Sequence, residues 1–232
     1  MTACRLVIAD DHPLFRDALR LTIGQSFGEA DIVEADSFDS LRARLEAVPD
    51  TDLVLLDLNM PGIRAFSGLL YIRASFSAVP VAIISANEEP RVMRLALELG
   101  ASGYIPKSAT PGEIRAALAA LLAGKTWLPP TLDPRRSPED PEAAMVAGLA
   151  SLTPQQVRVM MLLSDGLLNK QIAHLLDVTE ATVKAHVSAI LQKLGVDNRT
   201  QAVIVARRLA GDTAAAQEDF ASSARADGRP RA

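Results

Sequence analysis

The 232 residues are 49% hydrophobic and 22% charged, enough apolar material for a buried core in one large domain or two small ones. No run approaches the ~18–20 apolar residues that a membrane span needs. No basic stretch precedes an apolar leader, so no signal peptide and a cytoplasmic setting are expected. The single cysteine, Cys4, excludes an internal disulfide framework and a cysteine zinc site. The net charge of −4 is made of unlike parts. Residues 1–124 hold 11 Lys/Arg against 16 Asp/Glu, whereas residues 150–210 hold 7 against 4, so the two regions should meet different partners. An excess of +3 is too small to establish DNA binding by itself.

Along residues 1–124, short apolar runs alternate with amphipathic stretches. Strands are predicted near 5–10, 31–35, 52–57, 79–85 and 103–106, and helices near 13–26, 37–47, 66–76, 89–99 and 110–124. This alternation predicts a doubly wound α/β domain with a parallel five-stranded sheet. The Val-, Leu- and Ile-rich runs lack polar alternation, as expected of strands covered on both faces.

Four of these runs end in chemistry. Asp10 and Asp11 follow Leu6-Val7-Ile8-Ala9, Asp57 follows Leu53-Val54-Leu55-Leu56, Ser85 follows Val81-Ala82-Ile83-Ile84, and Lys107 follows the run at 103–105. Ligands of open parallel sheets bind at the carboxyl ends of the strands. Three carboxylates drawn together repel one another, and a divalent cation with oxygen preference, Mg2+, relieves that repulsion. An Asp carboxylate can accept a phosphoryl group, with Lys107 supplying a positive charge and Ser85 a hydroxyl donor. A single Asp after a strand is commonly only a turn or cap residue. The joint order and the Pro61-Gly62 turn beside Asp57 favour a functional cluster.

On these residues, the segment 1–124 resembles the receiver domain of two-component response regulators, with a flavodoxin-like fold. The resemblance implies that Asp57 is the phosphoacceptor. It implies Mg2+ held by Asp11, Asp57 and the Asn59 backbone carbonyl, with Asp10 assisting. It also implies that Ser85 and Tyr104 form a conformational switch pair in which Tyr104 rotates inward. Two features depart from the family. The stretch Ile63-Arg64-Ala65-Phe66-Ser67 makes the connection after Gly62 longer, so a longer loop is expected beside the phosphosite. Ser108, not proline, follows Lys107, which excludes the cis bond found there in many receivers, because a non-proline cis bond costs ~2.5–4 kcal/mol.

Residues 125–149 contain Pro129-Pro130, Pro134, Pro138 and Pro141 among charged residues and read as an interdomain linker, with a short helix possible over 142–150. Residues 150–210 show no strand-like run; helices are predicted near 154–166, 169–176, 180–194 and 199–210. Thr153, Pro154 and Gln156 form a helix start with a capping box, and Asn169 and Thr179 are expected to cap the next two helices. The tail, 211–232, is expected to be disordered.

In the third helix Val183, Val187, Ile190 and Leu194 form one apolar stripe, while Ala181, Ala185, Ser188, Ala189 and Gln192 lie opposite. Alanines there could reflect helix propensity alone. Alternatively, they allow close approach in a major groove, where Ala185 meets thymine methyls, Lys184 reaches guanine, and Ser188 and Gln192 hydrogen-bond base edges. Lys170, Thr182, Lys193 and Arg199 are then expected on phosphates. His174 and His186 lack a supporting ligand cluster and are not expected to bind metal.

Residues 152–208 resemble the four-helix DNA-binding domain of NarL/FixJ and LuxR regulators, through Leu152-Thr153-Pro154, Asn169-Lys170-Gln171-Ile172-Ala173, Thr182-Val183-Lys184, Lys193-Leu194-Gly195-Val196 and Asn198-Arg199-Thr200-Gln201-Ala202. Glu is usual in the family where Gln156 stands, and some members carry a basic residue where Ser188 stands. The resemblance implies a homodimer on double-stranded DNA through the last helix, with Val203 and Ala206 at the contact. The whole chain then reads as a phosphorylation-switched transcription regulator served by a sensor histidine kinase, and not as an enzyme. The alternative, a phosphorylation-independent helix-turn-helix regulator with a vestigial receiver, is disfavoured by the complete acidic set.

Overall fold

A computed structural model describes residues 4–28, 30–130, 132 and 143–208. The chain divides into two compact units, Met1–Glu139 and Asp140–Ala232. The predicted tail at 211–232, Leu209 and residues 133–142 of the predicted linker lie outside the described residues.

The first unit is built on strands β1 (Arg5–Ala9), β2 (Asp31–Ala35), β3 (Leu53–Asp57), β6 (Val81–Ser85) and β7 (Gly103–Pro106). They form one parallel sheet in the order β2-β1-β3-β6-β7. Every residue of β3 and β6 is buried, which is why those strands contain almost no polar residues. Helices α1 (Pro13–Phe27), α2 (Phe38–Ala47), α3 (Ser67–Ser75) and α4 (Pro90–Glu98) connect the strands, and α5 (Pro111–Leu122) follows the last of them. One core cluster joins Leu6, Ile8, Leu53, Leu55 and Ile105 of the sheet to Leu19 and Ile23 of α1 and Ala117, Leu118 and Leu121 of α5. Each fully buried Leu or Ile contributes roughly 1.5–3 kcal/mol. The helix starts are specified locally. Ser37 caps α2, and Thr110 and Glu113 close a capping box on α5 behind Pro111.

The sequence after β1 crosses to one side of the sheet and returns to β3 on the other. The switch point therefore lies between β1 and β3, where Asp10, Asp11 and Asp57 emerge. After α5 the chain remains with this unit. Trp127 bridges to Gly103, its carbonyl accepts a 3.1 Å bond from the Tyr104 N–H, and Leu132 is buried.

The segment expected to be a long loop beside Asp57 is a folded hairpin. Strands β4 (Asn59–Met60) and β5 (Ile63–Arg64) pair antiparallel, Asn59 opposite Arg64 and Met60 opposite Ile63. Pro61 and Gly62 make the turn, with Gly62 at φ +79°. Met60, Ile63, Ala65 and Phe66 are buried. The hairpin is fastened to α2: the Phe38 N–H donates to the Pro61 carbonyl at 2.8 Å, and a Cβ on Gly62 would come within 2.8 Å of the Phe38 Cβ. Phe38 packs edge-on against Tyr71 of α3, with centroids 4.9 Å apart.

The second unit comprises α6 (Ala143–Ala150), α7 (Pro154–Ser164), α8 (Asn169–Leu176), α9 (Glu180–Leu194) and α10 (Arg199–Arg208). Buried Val157, Met160, Leu163, Ile172, Val183, Ile190, Leu194, Ala202 and Ile204 form its core. Thr153 and Gln156 make the predicted capping box on α7, and Thr179 caps α9. Asn169 does not cap α8: the cap position falls on Leu168, whose N–H is satisfied by the Gln171 side chain at 2.8 Å. Asp177 turns the chain between α8 and α9 in the left-handed conformation, at φ +53°. Val187, expected in the buried stripe, is only half-buried.

Candidate functional site

At the switch point, Asp10 and Asp57 are buried and Lys107 binds both. Its Nζ lies 2.8 Å from Asp10 Oδ2 and 2.8 Å from Asp57 Oδ2, and 5.1 Å from the centre of the Phe15 ring. Ligand atoms of Asp10, Asp11, His12 and Asp57 all fall within 4.8 Å of one another. Asp10 is further fixed by the His12 N–H, 2.8 Å from Oδ1, and Arg16 links the Asp10 carbonyl to Glu34 of β2. Burial raises the pKa of the Asp57 carboxyl above the ordinary value, and the nearby Asp10 charge adds to this, against the opposing pull of Lys107. Burial alone would lower the pKa of Lys107, but its bonds to Asp10 and Asp57 outweigh that, and the ammonium is held more firmly than usual.

Three carboxylates face one ammonium, which leaves an excess of negative charge. Asp10 Oδ2 and Asp11 Oδ1 are buried, with Lys107 Nζ 2.8 Å from the first and His12 Nδ1 2.8 Å from the second. A hard divalent cation fits such a donor set, because it takes carboxylate, carbonyl and water oxygens and cancels the excess charge. Asn59, the predicted carbonyl ligand, begins the hairpin two residues after Asp57, and its N–H bonds the Asp57 carboxylate. His12 was not anticipated, although it directly follows the two aspartates in sequence.

Ser85 and Tyr104 meet on the other side of the pocket. Ser85 is buried, and its Oγ accepts a 3.2 Å bond from the Asn87 N–H. Tyr104 is fully buried, with its hydroxyl donating to the Asn87 carbonyl at 2.6 Å. Its ring is thus turned inward, and burial pushes its phenol up to about 12. The Lys107 N–H donates to the Ser85 carbonyl at 2.8 Å, so the ends of β6 and β7 are tied together. Among the described residues no peptide bond is cis.

In the helical unit, α8, the Asp177 turn and α9 form a helix-turn-helix. Lys170, Lys184, Ala185, Ser188 and Gln192 are exposed and Thr182 is half-buried, so the predicted base-reading face of α9 is open. Lys184 makes only an exposed ion pair with Glu180, at 3.0 Å. Two predicted phosphate contacts are otherwise engaged. Lys193 Nζ donates to the Ser151 carbonyl at 2.6 Å and to Gln156 Oε1 at 2.8 Å. Arg199 donates to the Leu167 carbonyl and, at 3.3 Å, to Asn169 Oδ1. Both are half-buried, and their donors hold the helical unit together. Val203 is half-buried, and the Ala206 side chain lies outside the described residues.

A sheet with acidic residues at its switch point, followed by a helix-turn-helix, defines a receiver coupled to a DNA-binding domain. Comparisons with known proteins agree. The model for the response regulator receiver domain matches residues 6–119, and that for bacterial regulatory proteins of the luxR family matches residues 150–206. The chain is 39% identical over 208 residues to the glycerol metabolism activator of Pseudomonas putida, spanning 87% of this chain and 94% of that protein. It is 31% identical over 201 residues to the nitrate/nitrite response regulator protein NarL of Escherichia coli K12, spanning 86% and 93%. A solved structure of two RcsB dimers bound to two parallel DNAs matches with a TM-score of 0.52 at 25% identity, covering 85% of this chain and 94% of that one. The chain belongs to the NarL-type response regulators, phosphorylation-switched transcription regulators with a LuxR-type DNA-binding domain.

Proposed function

We propose that Asp57 is the residue on which the signal is written. A sensor histidine kinase presents a phosphohistidine. An Asp57 carboxylate oxygen bonds to phosphorus as the P–N bond breaks, and the electron pair leaves with the imidazole. Lys107 holds and orients the Asp57 carboxylate beforehand and pairs with the phosphoryl oxygens afterwards. Asp11, Asp57 and the Asn59 carbonyl, with Asp10 assisting, would hold Mg2+, which supplies charge neutralisation for the transferring group. The observation that carries this reading is the Lys107 ammonium bridging two buried carboxylates at 2.8 Å each, with ligand atoms of Asp10, Asp11 and Asp57 within 4.8 Å of one another.

Ser85 and Tyr104 act as the switch. The Ser85 hydroxyl binds the phosphoryl group, and the inward Tyr104 ring occupies the space beside it, altering the surface of α4 and α5. The described conformation has Tyr104 already inward, in keeping with the switched arrangement. The output is a change in dimerisation and in binding of double-stranded DNA. On DNA, Lys184, Ala185, Ser188 and Gln192 read base edges from α9, and Lys170 and Thr182 hold phosphates. The dimers on DNA in the RcsB structure support a homodimer here, with α10, including Val203 and Ala206, as the contact. In this scheme 1–124 receives, 125–149 links, 150–210 binds DNA, and the protein works in the cytoplasm as a regulator without an enzymatic role. No helix among the described residues is long and apolar enough to cross a membrane.

Incubation with acetyl phosphate and Mg2+, read by intact mass, is expected to add one phosphoryl group to the wild-type chain and none to Asp57→Asn. Labelling of Asp57→Asn equal to wild type would remove Asp57 from its role.

A further inference from the structure

Three helices of the DNA-binding unit meet at Lys193. Its ammonium lies 2.6 Å from the carbonyl of Ser151, one residue past the end of α6, and 2.8 Å from Oε1 of Gln156. A cation at the carbonyl end of a helix is favoured by the helix dipole. Gln156 is 7% exposed, and the same oxygen accepts the Thr153 N–H at 3.0 Å, closing the capping box of α7. The backbone of the same turn of α9 presses on α6. A Cβ at Gly148 would overlap the Lys193 carbonyl oxygen, so only glycine permits this approach. One side chain and one glycine thus fasten the end of α9 to both α6 and the start of α7.

We propose that Lys193 is a positioning residue for DNA recognition. It sets the pose of α9, and with it Lys184, Ala185, Ser188 and Gln192, while making no phosphate contact of its own. This rests on α9 being the helix that reads DNA. A buried amide oxygen and a backbone carbonyl already take two of the three ammonium donors. Only the third donor is left for a phosphate, and turning the ammonium fully toward one would leave the Gln156 oxygen with one partner fewer.

The two roles differ in salt dependence and in sequence dependence. A phosphate contact weakens binding to every duplex alike and makes the slope of log K against log salt shallower by about one when removed. A positioning residue affects the preferred sequence and leaves the slope unchanged. The test uses the full chain with acetyl phosphate and Mg2+. Fluorescence anisotropy is followed over a salt series on a duplex that the wild-type chain enriches from a random pool, and on a scrambled duplex. Lys193→Met is expected to lose about tenfold on the enriched duplex and less than about twofold on the scrambled one, at unchanged slope. Lys193→Arg, which keeps the charge but not the fit between the two acceptors, should show the same selective loss even if Lys193→Met folds poorly. Equal losses on both duplexes with a shallower slope, or full affinity in both variants, would overturn the proposal. A wild-type chain that enriches no duplex, or Lys184→Ala with undiminished affinity, would instead remove α9 as the reading helix and this inference with it.

Discussion

The two units place their charged groups in opposite ways. In the α/β unit, the groups that matter are buried and converge: Asp10, Asp57 and Lys107 come from three strand ends and touch one another. In the helical unit, the groups proposed to meet DNA are dispersed on an open face, and two half-buried cations, Lys193 and Arg199, bind the unit's own backbone. Burial separates the tasks. A pocket for a small, highly charged group needs preorganised partners away from water, where each interaction is strong. A surface for a duplex needs reach, and buried cations then serve as joints.

The contrast can be broken most forcefully at Lys107. Lys107→Met leaves Asp10 and Asp57 facing each other without a cation. Removing one partner of a buried ion pair costs roughly 3–5 kcal/mol, so a loss near the lower figure is expected in urea unfolding. Added Mg2+ should recover part of it. A loss that Mg2+ does not reduce would show that the pocket is not organised around charge.

A smaller effect is expected at the hairpin. Gly62→Val places a β-branched residue at φ +79° against the Phe38 Cβ and should cost roughly 1–3 kcal/mol in the same measurement. A change within about 0.5 kcal/mol, as for an ordinary surface position, would mean the segment behaves as the loop that its length suggested.

The smallest effect on stability belongs to the open face. Lys184→Ala removes only an exposed pair with Glu180, worth about 0.3–0.5 kcal/mol. DNA affinity should nevertheless fall about tenfold in anisotropy titrations, with phosphorylation by acetyl phosphate unchanged. A melting shift as large as that of Lys107→Met would erase the distinction between the two units.

The pocket could be read from sequence because parallel strands place their last residues on one edge whatever the loops do. Each of its carriers directly ends an apolar run, and burial of those runs sets the register. The hairpin was hidden because β4 and β5 are two residues each, too short for any periodicity; Met60-Pro61-Gly62-Ile63 was the available cue, a Pro-Gly turn between apolar residues. The open face of α9 followed from helical periodicity. The internal bonds of Lys193 and Arg199 are hidden for a different reason: basic residues around a helix-turn-helix suggest phosphates, whereas half of their acceptors are backbone carbonyls, which no pattern of side chains reveals. Asn169 was assigned as a cap from its type, but Arg199 claims its side-chain oxygen.

The single amide oxygen of Gln156 has an evolutionary consequence. It serves the first turn of α7 and the last turn of α9 together, so, with Lys193 posing α9 as proposed, a change there is expected to alter folding and operator affinity in one step. Ala185, Ser188 and Gln192 carry no such double duty. New operator preferences can therefore arise by substitution on the outer face of α9 at little risk to the fold, while the frame beneath can change only in concert. A library varied at those three positions should yield mostly folded regulators with diverged targets, and one varied at 148, 156 and 193 should yield few folded ones of any specificity.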